Sequence, residues 1–96
     1  MPEYRLTRQA EADLLDIFLY GLETFGHLQA RTYAASVERC LQLLAENPRI
    51  GRLAHSLGPA VRRHEHVSHV ILYEDVEFGI LVLAILHKRV VLRVKP

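Results

Sequence analysis

The part of the sequence that most constrains the fold is the run Gly79–Leu86, which is almost unbroken in apolar residues. It is far too short to span a bilayer, and it is predicted to be a strand. Two further strands are predicted before it, at about Val61–His66 and Ser68–Tyr73, followed by a turn through Glu74–Glu77. Because local turns join these strands, they are expected to form an antiparallel meander, and helices can cover only one of its faces.

The first half of the chain predicts one short strand and two helices. Tyr4–Leu6 alternates in polarity, which favours an edge or hairpin-like strand. A first helix is predicted over about Thr7–Phe25, with the threonine as its N-cap and Gly26 as its stop. A second helix is predicted over about Leu28–Glu46, and the following Asn-Pro dipeptide ends it because the residue before proline avoids the α region.

These elements define the expected fold. A short link joins the two helices, so they are predicted to form an antiparallel hairpin. The chain therefore predicts an α+β fold in the order β-α-α-β-β-β, with an antiparallel sheet and the helical hairpin packed on one face. Its 96 residues, without repeats or a low-complexity linker, indicate a single domain covering residues 1–96.

The first helix carries more apolar surface than one-sided packing needs. One stripe is the expected core face, and a second stripe lies beside it, so the apolar arc is about 200° wide. The second stripe is either covered by the rest of the fold or left as a docking surface for another chain. The core stripe comprises Ala10, Leu14, Ile17, Phe18, Gly21 and Phe25, and the second stripe comprises Leu15, Leu19 and Leu22.

The second helix is amphipathic in the ordinary way. Its lone cysteine is predicted to be a packed thiol, and a single cysteine excludes an intrachain disulfide. The predicted buried face comprises Ala30, Tyr33, Ala34, Val37, Cys40, Leu41 and Leu44.

Composition bounds the class of protein. Half of the residues are hydrophobic, which is high for a chain of 96 residues and favours a partner that covers the excess apolar surface. The net charge of +1 gives no global signal for nucleic-acid binding. Neither a signal peptide nor a bilayer-length apolar segment is recognised, so we expect a soluble, cytoplasmic protein that does not insert into membranes.

Side-chain parity along the strands brings polar groups together on one face. If the helix-free sides of the strands align, that face would carry Arg62, His69, Tyr73, His87 and Arg89 around an apolar floor. Such a surface can hold a phosphate or an acidic segment of a partner through charge-assisted hydrogen bonds. The alternative is that these are solvated residues on the exposed side of a sheet covered on one face only.

Classical sites for metals, cofactors and nucleophiles are not predicted. His64-x-His66-x-x-His69 places histidines close together, but it lacks a cysteine partner and a recognised metal-binding spacing. Ser56, Ser68 and Cys40 do not lie in a nucleophile-elbow context, and the chain has no Gly-rich phosphate loop. We therefore expect no metal and no cofactor.

Several short motifs, in this order and spacing, carry a resemblance to a known family. The chain resembles ParE-type toxins of the RelE/ParE superfamily, which belong to bacterial type II toxin–antitoxin systems, from about Tyr4 to Arg89. The matching residues are Tyr4-x-Leu6-Thr7, Ala10-x-x-Asp13-Leu14-x-x-Ile17, Asn47-Pro48-x-x-Gly51, Arg62-Arg63, His69-x-Ile71-x-Tyr73 and Val82-Leu83-x-Ile85-Leu86-His87-x-Arg89.

The resemblance implies a function and a partner. ParE toxins inhibit DNA gyrase and block replication, which is inhibition by a protein rather than an enzymatic reaction. They are neutralised by ParD-like antitoxins, whose N-terminal part is a DNA-binding dimer and whose C-terminal segment wraps the toxin. The complex is expected to be a heterotetramer or larger, and contact with DNA is expected only through the antitoxin. The antitoxin-binding candidates are Leu15, Leu19, Leu22, Ile50, Leu53, Arg62, Arg63 and Arg89.

Two alternative functions are compatible with the sequence. The RelE branch of the superfamily cuts messenger RNA on the ribosome without a metal, and His87 is available here as an acid or base. Against this alternative, the lysine-rich loop of that branch is missing, since Lys88 and Lys95 are the only lysines. The second alternative is a non-toxic partner and co-repressor of an antitoxin, because the apolar Val90–Val94 stands where many relatives carry a polar, charged tail.

Overall fold

The computed structural model of the chain describes residues 1–90. Within them the α+β architecture is confirmed, with two long helices, five strands and two short 3₁₀ turns. The strands are β1 (Glu3–Leu6), β2 (Arg52–Leu53), β3 (Val61–His66), β4 (His69–Val76) and β5 (Gly79–His87), and the helices are α1 (Arg8–Phe25) and α2 (His27–Glu46). No helix within residues 1–90 is both long enough and apolar enough to cross a membrane.

The strands form one mixed sheet in the order β1-β5-β4-β3-β2. The predicted antiparallel meander is confirmed for β3, β4 and β5, and β2 adds a short antiparallel strand at one edge. The first strand is indeed an edge strand, but it is not hairpin-like, because it pairs in parallel with β5. This pairing requires Gly79, since a Cβ there would collide with the Glu3 backbone, and its φ of 143° suits glycine alone.

The helix ends follow the predicted local signals. The Thr7 hydroxyl accepts a hydrogen bond from the backbone N–H of Ala10 at 3.1 Å and caps α1. Gly26 ends α1 with a φ of 90°, and α2 begins at the next residue. α2 ends at Glu46, as predicted, with Asn47 as its C-cap before Pro48.

A bulge in β5 changes which way its side chains point. Leu72 pairs with Ala84 but Tyr73 pairs with Val82, so Leu83 has no partner on β4. α1 and its N-cap residue contact this bulge at two points. The Thr7 hydroxyl donates to the carbonyl of Leu83 at 2.9 Å, and a carboxylate oxygen of Asp13 accepts the N–H of Ile85 at 2.9 Å.

The core lies between the helical hairpin and one face of the sheet. The predicted buried face of α2 is confirmed, and burial raises the pKa of the Cys40 thiol, as expected for packed sulfur. Phe25 is an exception to the predicted core stripe of α1, because its side chain lies exposed against Tyr20 at the tip of the hairpin. The buried core comprises Ala10, Val37, Cys40, Leu41, Leu44, Ala45, Ile71, Tyr73, Ile80, Val82 and Ile85.

The strand boundaries differ from prediction mainly at one turn. β4 continues to Val76, so the turn is Glu77-Phe78 rather than the whole of Glu74–Glu77. Phe78 stacks beneath the Arg5 guanidinium, 4.0 Å from its ring centre, which stabilises the shorter turn against β1. β5 ends at His87 and residues 88–90 are helical. Of the apolar segment Val90–Val94, only Val90 lies within the described residues, and the rest of that prediction falls outside them.

Candidate functional site

The predicted open face of Arg62, His69, Tyr73, His87 and Arg89 does not exist as a single exposed surface. Tyr73 is fully buried, and the side of β4 that carries it faces the helical hairpin. Arg62 lies directly opposite Tyr73 and therefore points to the same, covered side. The prediction was wrong because parity shows which residues share a face, but not which face the helices cover.

Arg62 and Tyr73 hold the loop that follows α2. The Tyr73 hydroxyl donates to the carbonyl of Pro48 at 2.6 Å and accepts the N–H of Gly51 at 2.8 Å. The Arg62 guanidinium donates to the carbonyl of Gly51 at 2.7 Å. Burial raises the pKa of Tyr73, which keeps its hydroxyl proton available as a donor. These contacts bind Pro48 and Gly51, two of the three residues of the Asn-Pro-x-x-Gly motif.

Three histidines form a row across the end of the sheet. His66 pairs with His69 across β3 and β4, and His69 pairs with His87 across β4 and β5. The rings of His69 and His87 meet edge to face with their centres 5.3 Å apart. α2 contributes two hydroxyls, since Tyr33 lies 2.7 Å from His69 Nδ1 and Ser36 lies 3.1 Å from His66 Nε2.

His69, the middle residue of this row, is uncharged near neutral pH. Burial first, and then the charges of His87 and His66, lower the pKa of His69 to about 4. Burial also lowers the pKa of His66, with contributions from His64 and Arg39. We assign the Tyr33 hydroxyl as the donor to His69 Nδ1, which leaves the proton of the neutral ring on Nε2.

A cleft of about 790 Å³ opens beside the histidine row. It lies between the tip of the helical hairpin and the ends of β4 and β5. Most of its wall area is apolar, although polar side chains such as Asp16, Gln29 and Ser36 also line it, and such a surface suits apolar side chains of another chain. Its lining residues include Ile17, Tyr20, Phe25, Tyr33, Val67 and His69. Within residues 1–90, no three His, Cys, Asp or Glu side chains are arranged to hold a metal ion.

The second stripe of α1 is largely uncovered. Leu15 is 56% exposed and Leu19 is 45% exposed, whereas Leu22 is half-buried. In the loop after α2, Ile50 and Leu53 are 47% and 46% exposed. The structure therefore leaves four of the five apolar docking candidates accessible, and their role in binding stays a prediction.

The three arginines predicted to bind the antitoxin lie in different environments. Arg62 is half-buried and held by the Gly51 carbonyl, as described above. Arg63 lies on the opposite side of β3, 3.6 Å from the Glu65 carboxylate. Arg89 is exposed in the helical segment after β5, and its backbone N–H donates to Nδ1 of His87 at 3.1 Å. They do not form one cluster.

Sequence reasoning missed several residues of this region. Tyr33 was predicted only as a buried helix residue, although its hydroxyl anchors the histidine row. A signal was available for His66 and His69, because a two-residue turn between them places the two residues opposite each other. His87 was predicted to share a face with His69, but its direct pairing with His69 depends on the bulge at Leu83, which no local signal indicated.

A family model and curated relatives that match this chain all name the same protein family. A family model described as "ParE toxin of type II toxin-antitoxin system, parDE" matches residues 4–92. A protein named Toxin ParE1 from Caulobacter vibrioides is 35% identical over 88 residues, which cover 92% of this chain and 91% of the relative. Toxin ParE from Escherichia coli is 37% identical over 91 residues, which cover 93% of this chain and 87% of the relative.

A solved structure supports the fold. A chain from a structure titled "Chromosomal ParDE TA system from P. aeruginosa" superposes with a TM-score of 0.74. The alignment covers 91% of this chain and 96% of the other, at 22% sequence identity. At that identity the likeness concerns the architecture of the helical hairpin and sheet.

Proposed function

This chain belongs to the ParE toxin family of parDE type II toxin–antitoxin systems, and from that premise we propose that it inhibits DNA gyrase and so blocks replication. We assign its neutralisation to a ParD-like antitoxin, in a heterotetramer or larger complex that reaches DNA only through the antitoxin. Gyrase inhibition is inhibition by binding, and it requires protein-docking surfaces rather than a catalytic centre.

The observation that carries the proposal is the uncovered apolar arc of α1. Leu15 and Leu19 remain exposed after the hairpin and sheet have packed. Tyr20 is also exposed, on the other flank of α1, where it lines the cleft. Burying one leucine side chain is worth about 1.5–3 kcal/mol, so covering this arc gives a partner a substantial binding energy. An apolar surface of this kind on a small domain is typical of a protein-interaction site.

The polar residues favour inhibition by binding over catalysis. Arg62 and Tyr73 are both engaged in holding the loop after α2, so neither is free to contact a reacting phosphate. His69 accepts a hydrogen bond from Tyr33, and its lowered pKa makes it a weak base near neutral pH.

The primary test is expression of this chain alone in bacteria, with microscopy, an SOS reporter and a supercoiling assay on purified gyrase. We expect growth arrest, filamentation and SOS induction, together with loss of supercoiling activity. Co-expression of a ParD-like antitoxin should restore growth. The double variant Leu15→Ser, Leu19→Ser should lose rescue, whereas the matched variant Leu43→Ser, at an exposed leucine of α2, should keep it.

Ribosome-dependent RNA cleavage is a second candidate, favoured by one observation. His87 is exposed at the rim of the cleft and lies next to His69 and Tyr33, where acid–base groups could meet a phosphodiester. Under this alternative, translation stops promptly without an SOS response, and His87→Ala abolishes the arrest. Absence of arrest with folded protein present would instead favour a non-toxic partner and co-repressor of an antitoxin.

A further inference from the structure

The strand β1 leaves its outer edge open. It lies at one end of the sheet and pairs with β5, and the described part of the chain places no strand on its other side. The N–H groups of Glu3 and Thr7 both donate to carbonyls of that neighbouring segment, at 2.8 and 3.0 Å. Because backbone groups alternate in direction along a strand, Pro2, Tyr4 and Leu6 direct theirs outward, where another strand can pair with them.

The Pro2 carbonyl is consistent with this direction. The side chain of Gln42, on α2, donates to it at 3.3 Å, so this carbonyl is not used by β5. Proline has no backbone N–H, so the donors that this edge offers are the N–H groups of Tyr4 and Leu6. Free backbone donors and acceptors require complementary groups from whatever covers them, and a second β-strand supplies both.

Charges of opposite sign share the open face of β1. Glu3 and Arg5 are both more than half exposed and point to the same side of the sheet, with 3.1 Å between Oε1 and Nη2. Tyr4 and Leu6 point to the other side and pack against the core. A strand that pairs with β1 therefore meets one negative and one positive charge, two residues apart.

The order of these charges suits a second copy of the same strand. In an antiparallel pair centred on Tyr4, each Glu3 lies opposite the Arg5 of the other copy. Opposite charges directly across a ladder stabilise it, and like charges destabilise it. Shifting one strand by two residues in either direction would place Glu3 against Glu3 or Arg5 against Arg5. The charges therefore disfavour the neighbouring registers and select the one centred on Tyr4.

The same register satisfies the open backbone groups. The outward N–H of each Tyr4 reaches the carbonyl of the other Tyr4, which is the hydrogen-bonded type of antiparallel pair. The N–H of each Leu6 reaches the carbonyl of Pro2 in the other copy. The missing N–H of Pro2 costs little here, because a strand at an edge tolerates proline at its start.

We propose that two copies of this chain pair through β1, antiparallel and centred on Tyr4, so that their sheets join into one continuous sheet. A second copy fits this edge better than an unrelated strand, because Glu3-Tyr4-Arg5 is complementary in charge to itself. The contact uses the same surface of both copies and closes a two-fold dimer. It lies at the opposite end of the sheet from β2, and it goes beyond the proposed function, which does not require it.

The dimer is expected to be weak. A strand pair of this length buries less than the roughly 1,600 Å² of a standard protein interface. Burial first, and then the charge of Glu38, raise the pKa of Tyr4, so this carboxylate of α2 lies close to the centre of the pair. The two Glu38 carboxylates therefore approach the two-fold axis and repel each other. We expect a dissociation constant of about 10–100 µM.

The test measures sedimentation of the purified chain between about 5 and 500 µM. We expect a concentration-dependent shift from monomer to dimer. Arg5→Glu and Glu3→Arg should each weaken the dimer at least about tenfold, because each places like charges across the axis. An equal mixture of the two variants should restore association, since an acidic strand then meets a basic one. Arg52→Glu, at an exposed arginine of β2, is the matched control and should leave the dimer unchanged.

Amide hydrogen exchange followed by NMR locates the interface. The amides of Tyr4 and Leu6 should exchange more slowly at high than at low protein concentration, because pairing covers them. The amides of Glu3 and Thr7 already donate toward β5 and should change little. Glu38→Gln should tighten the dimer, because it removes the repulsion at the axis.

Several results would overturn the inference. These are a monomer at about 500 µM, equal effects of Arg5→Glu and Arg52→Glu, no association of the mixed variants, or new protection on β2 or β3 in place of Tyr4 and Leu6. Circular dichroism of each variant checks that it is folded. The proposed function is tested separately by growth arrest and gyrase inhibition, so a monomeric chain that inhibits gyrase would keep that function and lose only this dimer.

Discussion

The hydroxyl of Tyr33 lies 2.7 Å from Nδ1 of His69 and joins the second helix to the fourth strand. When His69 is neutral, its Nδ1 accepts this hydrogen bond, and burial of the ring favours the neutral form. The pKa of His69 is about 4 in the fold, lowered first by burial and then by the charges of His87 and His66. In an unfolded chain a histidine has a pKa of about 6.5.

The first prediction concerns acid stability. Since the folded pKa of His69 lies below the unfolded value, its contribution is complete above a pH of about 6.5 and is lost as the pH falls toward about 4. Urea denaturation should show the free energy of unfolding falling across this window. His69→Gln should flatten that dependence, whereas His55→Gln, at an exposed histidine, should preserve it. Equal pH profiles for the wild type and His69→Gln would contradict the assignment.

The second prediction concerns the close approach of Gly51 and Tyr73. A Cβ at position 51 would lie 2.8 Å from the Cε1 and Cζ atoms of the tyrosine ring and closer still to its hydroxyl. Gly51→Ala should therefore destabilise the fold by about 1–3 kcal/mol through overpacking. Tyr73→Phe removes the hydroxyl and relieves part of the clash, so the two changes should be less than additive in a double-mutant cycle. Strict additivity would show that the residues are not coupled.

The third prediction concerns the hydrogen bond between the Asp13 carboxylate and the backbone N–H of Ile85, beside the β5 bulge. Asp13→Ala removes the acceptor for the N–H of Ile85 and should cost about 1–3 kcal/mol, since that donor is left unpaired. Asp13→Asn keeps a side-chain oxygen and should cost clearly less. Thermal unfolding of the two variants compares them directly. Equal losses would mean that the carboxylate charge, rather than the hydrogen bond, stabilises the bulge.

The fourth prediction concerns the turn between β3 and β4. Val67 has a φ of 53°, in the left-handed region that a β-branched residue rarely adopts. Val67→Gly should therefore stabilise the fold by about 0.5–1 kcal/mol, while Val67→Ala retains a Cβ and should gain little. Denaturant midpoints measure both. If the valine is kept for a partner in the neighbouring cleft, the glycine variant should also bind its antitoxin more weakly.

The fifth prediction compares Arg62 and Arg89, which the alternation of side chains along the strands had predicted to share one face of the sheet. Arg62→Ala should lower stability by about 1–3 kcal/mol, because it removes a charge-assisted hydrogen bond to the Gly51 carbonyl. Arg89→Ala removes an exposed side chain and should change stability by less than about 0.5 kcal/mol. Growth arrest is measured alongside unfolding. Full arrest by both variants would remove these arginines from the toxic mechanism.

Much of the fold was predictable because its signals are local. The Thr7 cap, Gly26, the proline after α2 and the apolar run of β5 each act over a few residues, and the observed elements begin and end near them. The amphipathic faces of the helices were likewise readable from spacing, although Phe25 lies beyond the sheet and stays exposed. Exposed leucines on α1 were predicted as one of two outcomes, because spacing alone does not show what covers a stripe.

The sequence by itself determined the two long helices and their hairpin, β1, and the meander of β3, β4 and β5, since caps, breakers and hydrophobic periodicity are short-range. Only the tertiary structure decided the short strand β2, the parallel pairing of β1 with β5, the unpaired Leu83, the burial of Tyr73 and the half-burial of His69. Each depends on contacts between residues far apart in the chain. One bulged residue reverses the parity of a strand, and the side of the sheet that the helices cover is set by packing of the whole domain.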